Sequence, residues 1–317
     1  RLDAGGDSRF NAVLALQVDR NQVLWVGTMG GLEQWRIGDK GEPQRWRLGT
    51  AEGLRPGASV TALYEDIEKQ LWIGTHADGL LRWLPAEQRL VQYRHQFSDS
   101  HSLADNQVSA LFRDRVGTFW VGTWNDGVSR VDMGSGGFAR IVRHTEDSDA
   151  LSDNKVRAIA KVSTQDGDGR LWLGTGAGLN LYDPKTGRSK VWRHDPARPD
   201  SLSDDQVTAL WRAPDGTGAV WIGGRAGVNH LDPVTGTVRT LSFVRGDPAS
   251  DTIRNIVADR SGLLWIASRG GLHRLDPKTM DVHTYRHNPA DSASLADNVV
   301  RPILEDRRGR LWVGSFN

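Results

Sequence analysis

Leu71-Trp72-Ile73-Gly74-Thr75 is the stretch that decides the fold, because close variants of it occur seven times along the chain. Its tryptophan recurs at spacings of 47, 48, 52, 49, 44 and 47 residues. The seven copies are Trp25, Trp72, Trp120, Trp172, Trp221, Trp265 and Trp312. A period of about 45–50 residues is typical of propeller repeats, in which each repeat forms one four-stranded blade.

Each repeat contains four short segments with the composition of β-strands. The first has the pattern Val-x-Ala-Leu, as at residues 60–63, and the second contains the repeated tryptophan. The third runs into an Asp-Pro-x-x-Gly turn, as at residues 178–187, and an outer strand follows. Proline and glycine supply the backbone angles that such a turn needs. The sequence therefore predicts an all-β, seven-bladed β-propeller of four-stranded antiparallel blades, with residues 1–317 as a single domain.

The ends of the chain do not supply a complete last blade. After Trp312 the sequence stops at Asn317, which leaves room for only two strands. Residues 1–3 resemble the end of a third strand, so the N-terminus either contributes to this blade or forms a connector. We expect the last blade to be incomplete in this chain, with an exposed edge, and the chain to be cut from a longer protein.

The composition excludes several classes of protein. The formal net charge is +1 with 25% charged residues, which predicts neither a nucleic acid nor an anionic membrane as a partner. Cysteine is absent, so disulfides and thiolate metal sites are excluded. No stretch approaches the roughly 18 consecutive apolar residues of a membrane span. Any contact with a membrane would come from segments outside this chain.

Two further features of the sequence suggest metals but are interpreted as structural. An Arg-His pair precedes a polar connector in several repeats, and the histidines are His95, His144, His194 and His287. Radial repetition would place them on separate blades, far apart, so we predict no metal site there. The Asp- and Gly-rich loop at residues 163–169 lacks the closing Glu of an EF-hand and is predicted to be an ordinary hairpin loop.

Positions that differ from repeat to repeat are the candidates for function, since the frame occupies the positions that recur. The turns between second and third strands differ most, and in a propeller they share one face with the connectors. The candidates in these turns are His76, Asp78, Trp124, Asn125, Asp126, Arg225 and Arg269. The second residue of the first strand adds Arg157, Arg254 and Arg301 in blades 4, 6 and 7.

Together these residues predict a central mouth that binds a small polar ligand, either an organic anion or a carbohydrate. Arginine can pair with carboxylate or sulfate through two parallel hydrogen bonds, and Trp124 can stack on a ring. Asn125 and Asp126 can bind hydroxyl groups. Alternatively, the arginines line a wet channel and pair with local acids or carbonyls.

The unit at residues 171–183, Leu-Trp-Leu-Gly-Thr-Gly-Ala-Gly-Leu-Asn-Leu-Tyr-Asp, and the connector at 201–207 resemble the two-component regulator propeller repeat. The resemblance covers essentially the whole chain. It implies a periplasmic sensing module, often for oligosaccharides, in a bacterial inner-membrane signalling protein whose output domain is a kinase or a diguanylate cyclase. It names no ligand. It also implies a domain that is not itself an enzyme, and we predict no catalytic residues and no cofactor.

Two other functions stay open. A propeller lyase or glycosidase could use Asp78 and Asp126 as an acid–base pair, although the sequence contains no nucleophile motif, zinc signature or phosphate loop. A protein-interaction platform could use the blade edges or the flat face, because a fold alone does not assign a function. A homodimer would be a natural way for an anchored sensor to pass a signal across a membrane.

Overall fold

The computed structural model describes residues 8–36, 44–49, 53–114, 117–132, 137–143, 151–162, 169–213, 217–244 and 246–316. The predictions made for residues 1–3, for His144 and for the loop at 163–168 lie outside the described residues. The described part of the chain is almost entirely β-structure, preceded by a single turn of 3-10 helix at Ser8–Phe10.

Six repeats each form a four-stranded antiparallel sheet, here called a blade, in which the strands lie in chain order. Blades 1 to 3 consist of β1 (Val13–Val18), β2 (Val23–Thr28), β3 (Leu32–Arg36), β4 (Gln44–Arg47); β5 (Val60–Glu65), β6 (Leu71–Thr75), β7 (Leu80–Leu84), β8 (Arg89–Tyr93); and β9 (Val108–Arg113), β10 (Phe119–Thr123), β11 (Val128–Asp132), β12 (Gly137–Ile141). Blades 4 to 6 consist of β13 (Val156–Lys161), β14 (Leu171–Thr175), β15 (Gly178–Asp183), β16 (Arg188–Trp192); β17 (Ala209–Arg212), β18 (Val220–Gly223), β19 (Val228–Leu231), β20 (Val238–Leu241); and β21 (Ile253–Ala258), β22 (Leu264–Ser268), β23 (Leu272–Leu275), β24 (Val282–Tyr285).

The last repeat forms only a two-stranded sheet of β25 (Val300–Glu305) and β26 (Leu311–Ser315). The prediction of a seven-bladed propeller is therefore wrong: the described residues form six blades. The repeated tryptophan lies on the second strand of each unit, so it marks an inner hairpin. A blade also needs a third and a fourth strand, and none pairs with β26 among the described residues. The prediction of four-stranded antiparallel blades is confirmed for the other six repeats.

The first strands of the repeats lie side by side around a common axis. Each contacts the first strand of the next repeat, in the order β1, β5, β9, β13, β17, β21 and β25. Strand β25 also contacts β1, and β26 does so as well, so the two-stranded sheet closes the ring. The later strands of each blade follow outward from this inner ring because each pairs with the strand before it.

The hydrophobic core consists of seven clusters, each of which joins neighbouring repeats. In blade 4, Trp172 packs against Val220 and Ile222 of blade 5, and its side chain is fully buried. Trp312 of the two-stranded sheet packs in the same way against Leu24 of blade 1. The repeated tryptophan thus fills the space between neighbouring blades.

An aspartate in the preceding turn orients this tryptophan in five of the repeats. In blade 2, Asp66 accepts a hydrogen bond from Trp72 Nε1 at 2.8 Å and another from the backbone N–H of Gln70 at 2.8 Å. The corresponding carboxylates are Asp19, Asp114, Asp259 and Asp306. One side chain thus closes the hairpin and satisfies a buried indole N–H.

The connectors between blades are held by buried polar groups. The backbone N–H of Ser152 donates to the Asn180 side chain at 2.8 Å, and Asn229 holds Ser203 in the same way at 2.9 Å. The Arg-His histidines contribute too, since His95 Nδ1 lies 2.8 Å from the Leu103 carbonyl oxygen. His194 and His287 make the same contact in their connectors, which confirms the structural role predicted for them.

Candidate functional site

The first residue of the turn between the second and third strands lies beside the connector that enters its own blade. The backbone N–H of Trp124 donates to the carbonyl oxygen of Gln107 at 3.0 Å, and that of Arg269 donates to Thr252 at 3.1 Å. Gln107 and Thr252 each directly precede the innermost strand of their blade. The residues at this turn position therefore gather around the end of the inner ring where the innermost strands begin.

The second residue of the innermost strand lies at the junction with the next repeat. Thr61 Oγ1 donates to the Val108 carbonyl oxygen at 2.7 Å, and Thr208 Oγ1 donates to that of Ile253 at 2.7 Å. Ser109 makes the equivalent bond to Val156. Arg157, Arg254 and Arg301 occupy this same position of the repeat, so their side chains start from the same junctions beside the axis.

Five arginines form one electrostatic group, here called the axial arginine cluster: Arg157, Arg225, Arg254, Arg269 and Arg301. Arg254 is at its centre, because burial and then the positive charges of the other four lower its pKa to about 10. Burial and the charge of Arg269 lower the pKa of Arg301 as well. The structure thus brings together all five arginines predicted from the sequence.

Acids compensate the cluster weakly. Burial and Arg225 lower the pKa of Arg157, while Asp153 and Asp204 oppose that shift. Among the described residues, none of the five arginines forms an ion pair with a carboxylate. The side chains of Arg225 and Arg269 are exposed and the other three are partly buried, so this group is a positive field without ion-pair partners at one end of the ring.

Two aromatic rings cover parts of the cluster. The Arg157 guanidinium lies 5.0 Å from the centre of the Trp124 ring, and its Nη1 donates to Gln206 Oε1 at 3.1 Å. The Arg301 guanidinium lies 5.2 Å from the centre of the Phe316 ring. These contacts orient two planar cations without neutralising their charge. Trp124, which was predicted to stack on a ligand, stacks on Arg157.

Three arginines of the cluster keep a buried donor without an acceptor. The Nε atoms of Arg157, Arg254 and Arg301 are inaccessible to solvent and have no hydrogen-bond partner in the structure. A buried donor left unpaired costs free energy, and most native proteins contain few of them. Three such unpaired donors occur at the same position of the repeat, and this unusual concentration needs a functional explanation.

The predicted residues of blade 2 do not join the cluster. Asp78 accepts two hydrogen bonds from Arg55 Nε and a third from Arg55 Nη2 at 2.9 Å, so a cation from the preceding connector already pairs with its carboxylate. This pair borders a cavity of about 260 Å³ near the end of the outermost strand of blade 2. The cavity is lined by Gly53, Leu54, Arg55, Asp78, Leu81, Gln92 and Arg94.

The remaining predicted residues lie in turns without contact to the arginines. Asn125 Nδ2 donates to Asp105 Oδ2 at 2.9 Å, which ties the turn of blade 3 to its own connector. The side chains of His76 and Asp126 are exposed, and among the described contacts neither pairs with an arginine of the cluster. The site that the structure assembles is thus narrower and more basic than the one predicted from the sequence.

Sequence reasoning missed Phe316 and Gln206. Phe316 follows the Leu-Trp-Val-Gly-Ser motif of the last repeat, at the position that Trp124 occupies in blade 3. That alignment was the available signal, because one turn position supplies both rings. Gln206 precedes the first strand of blade 5, and no pattern in the sequence marks it as a partner of Arg157.

Nothing in the described structure suggests a metal centre. No three His, Asp or Glu side chains within the described ranges converge in a way that could hold an ion. The cluster itself repels cations, since the positive charges of four other arginines lower the pKa of Arg254. The chemistry that this arrangement can perform is the binding of a negatively charged or strongly hydrogen-bonding group.

The fold and the basic cluster define a β-propeller with a candidate anion site at its axis, and comparison with known proteins supplies the repeat family. The model of the two component regulator propeller family matches residues 53–77, 102–125 and 294–317. These three segments therefore match the two-component regulator propeller repeat that the sequence resembles. No curated protein matches the sequence.

Solved structures with similar folds include sensor domains and enzymes. The extracellular domain of the hybrid two-component system BT3049 from B. thetaiotaomicron superposes with a TM-score of 0.79 at 22% identity, over 97% of this chain and 39% of that one. The extracellular domain of the one-component system BT4673 from the same organism gives 0.76 at 20% identity, over 96% and 37%. Virginiamycin B lyase from Staphylococcus aureus gives 0.68 at 15% identity, over 99% and 94%.

These likenesses establish the fold. The chain spans well under half the length of the two B. thetaiotaomicron proteins, at 39% and 37%. Those two are described as extracellular domains of signalling systems. In the part of the chain that the structure describes, no helix has the length and apolar character to cross a membrane.

Proposed function

We propose that this chain is the extracytoplasmic, ligand-sensing input domain of a bacterial transmembrane signalling protein. A small polar ligand, an anion or a carbohydrate, binds at the central face of the propeller, and a kinase or cyclase outside this chain receives the signal. The two-component regulator propeller repeats support the sensing role. The extracellular origin of the two similar B. thetaiotaomicron structures supports a location outside the cytoplasm, in the periplasm.

The axial arginine cluster is the observation that carries the ligand-binding part of this proposal. It concentrates five cations at one end of the ring, buries three of their Nε donors without partners, and contains no ion pair among the described residues. A frame that needed arginines only for packing would pair them with acids or carbonyls. A site that must receive a ligand keeps its donors free for that ligand.

An enzymatic role receives less support from the geometry. The hypothetical acid–base pair needs Asp78 to exchange a proton with a substrate, yet Asp78 already accepts three hydrogen bonds from Arg55. Asp126 lies in the turn of another blade, and no hydrogen bond among the described residues joins the two carboxylates. The likeness to virginiamycin B lyase concerns the fold, at 15% identity.

A thermal-shift screen tests the proposal. The domain is heated with neutral oligosaccharides, acidic oligosaccharides, small carboxylates and inorganic anions, and the melting temperature is compared with that of the free protein. A ligand at 100 times its Kd adds about 2.7 kcal/mol of stability, which is readily seen as a rise in melting temperature. We expect at least one acidic compound to raise it.

The double variant Arg254→Gln/Arg269→Gln is expected to abolish that rise while it leaves the fold intact. The matched control is Arg89→Gln, because Arg89 is an exposed arginine of β8 that pairs with Glu87 at 2.6 Å, away from the axis. The control should respond to the ligand as the original protein does. If no compound shifts the melting temperature, the chain is better explained as a protein-interaction or homodimerisation platform.

A further inference from the structure

We infer that the axial arginine cluster selects a doubly charged tetrahedral oxyanion, either a free phosphate or sulfate ion or a phosphate monoester on a sugar. This inference rests on the function proposed above and names the chemical class of the ligand. Carboxylates and neutral sugars would bind this site more weakly. Three properties of the cluster lead to this choice: its excess charge, the directions of its donors and the cost of burying it.

The positive charge of the axial arginine cluster is larger than one carboxylate can neutralise. Burial and the like charges of four arginines lower the pKa of Arg254. Asp153 and Asp204 oppose the lowering of the pKa of Arg157. A monoanion would leave most of this repulsion in place, whereas a dianion lowers it for several arginines at once.

The donors approach the axis from separate repeats. Arg157 starts from β13, Arg254 from β21 and Arg301 from β25, and these strands belong to different units of the inner ring. A planar carboxylate presents two oxygens in one plane, so it can meet one guanidinium fork well. A tetrahedral group presents three or four oxygens in different directions, which suits cations that converge from around a ring.

The aromatic contacts restrict how the guanidiniums can turn. Trp124 lies against the Arg157 guanidinium at 5.0 Å and Phe316 against that of Arg301 at 5.2 Å, both measured to the ring centre. Stacking on a ring leaves the in-plane N–H groups of an arginine free to donate. The guanidinium groups of Arg157 and Arg301 are therefore held in place before a ligand arrives. Arg254 lies between these two residues in the sequence.

The cluster is costly in the absence of a ligand, and this provides a readout that a structural role would not give. Like charges surround Arg254, and its buried Nε lacks an acceptor. Removing the charge should therefore leave the free protein as stable as before or raise its melting temperature. An arginine that served the frame would instead lower the melting temperature when replaced.

Isothermal titration calorimetry in low-salt buffer without phosphate or sulfate tests the inference. The titrants are inorganic phosphate, inorganic sulfate, glucose 6-phosphate, acetate and glucose. The variants are Arg254→Gln, Arg254→Lys and the distant control Arg89→Gln. We expect at least one phosphate or sulfate compound to bind, Arg254→Gln to weaken it at least tenfold, and Arg254→Lys to give an intermediate affinity, because lysine keeps the charge and loses the fork.

The titrants distinguish a free inorganic anion from an anionic group attached to a sugar. Tighter binding of the inorganic ions indicates a sensor of free anion, whereas tighter binding of a sugar ester indicates a sensor of a modified carbohydrate, and both support the inference. Binding that is equal in Arg254→Gln and the original protein would reveal only adventitious ion association and would overturn it. If glucose or acetate binds and no phosphate or sulfate does, the inference fails while ligand sensing stands. If nothing binds, both fail.

Discussion

His273 is a fully buried histidine of blade 6. It lies in β23 at the position that Asn180 and Asn229 occupy in blades 4 and 5. Its side chain is 0% exposed, with Nε2 2.9 Å from Ser268 Oγ and Nδ1 3.0 Å from Thr284 Oγ1. Burial, followed by the charge of Arg286, lowers the pKa of His273 to about 4, although Asp247 opposes the shift.

This low pKa predicts that the domain loses stability in mild acid. In the unfolded chain the histidine takes up a proton below about pH 6.5, whereas folded His273 does so only near pH 4. Between these values the unfolded state binds more protons, so its free energy falls as the pH falls. The contribution of His273 is fully present above pH 6.5, and roughly 3 kcal/mol is lost by pH 4. Urea denaturation at a series of pH values measures it.

The variant His273→Asn isolates this contribution. Asparagine occupies the same position in two other blades and does not titrate, so the variant should lose stability less steeply between pH 6.5 and pH 4. The control His283→Asn changes an exposed histidine of β24 in the same blade and should keep the original slope. Identical slopes for all three proteins would contradict the assignment.

At the scale of the strand, a glycine two residues after the repeated tryptophan, present in six of the seven repeats, sets the distance between neighbouring blades. A Cβ on Gly174 would lie 2.5 Å from Val207 Cγ1, and Val207 lies just before the first strand of blade 5. Gly74 and Gly223 face Val108 and Ile253 in the same way, at 2.6 and 2.5 Å. In each case a side chain of the next blade makes this close approach.

Gly174→Ala is therefore expected to destabilise the domain by about 1–3 kcal/mol, because the extra methyl forces two blades apart. Chemical denaturation measures the change. Val207→Ala removes the clashing methyl groups, so the double variant should be more stable than the sum of the two single effects predicts. Additivity to within about 0.5 kcal/mol would show that the two residues are not coupled.

Blade 6 provides a natural comparison for this prediction. It carries Ala267 where the other repeats carry glycine, and that alanine is fully buried. A methyl group can therefore be accommodated at this position when the neighbouring strand is placed for it. Ala267→Gly should change stability by about 1 kcal/mol or less, through the freedom that glycine adds to the unfolded chain.

At the scale of the whole molecule, the two-stranded sheet of β25 and β26 closes the ring between blade 6 and blade 1. Val300 and Ile303 pack against Ala267 and Leu272 on one side, and Trp312 packs against Leu24 on the other. On the face that carries the turns between first and second strands, the backbone N–H of Arg260 also donates to Glu305 at 2.9 Å. Each blade therefore packs against a neighbouring unit on both of its faces.

Trp312→Ala should weaken this closure and lower the stability of the whole domain by roughly 3 kcal/mol. Because each unit depends on both neighbours, we expect circular dichroism and tryptophan fluorescence to report one shared transition at lower denaturant concentration. Trp46→Ala is the control, since Trp46 is 45% exposed on the outer strand β4. Two separate transitions in Trp312→Ala would show that the sheet unfolds alone and that closure is not cooperative.

Much of the candidate site could be predicted because it depends on position within the repeat. All five arginines were found by asking which repeat positions change, and the structure brings them together at the axis. The same argument placed Asp78 in this site. In the structure, however, Arg55 of the connector pairs with the Asp78 carboxylate, and both residues line a different cavity. A repeat position specifies where a backbone lies, whereas the partner of a flexible side chain depends on neighbours far along the chain.

The sequence by itself determined the blade. The tryptophan, its aspartate and the following glycine lie within a few residues of one another, so local strand pairing and packing recur wherever they recur. Only the tertiary structure decided that no other described strand completes the last repeat, since a third and a fourth strand must find an edge to pair with. It also decided which cations face one another, because electrostatic repulsion depends on distances across the ring that no local pattern encodes.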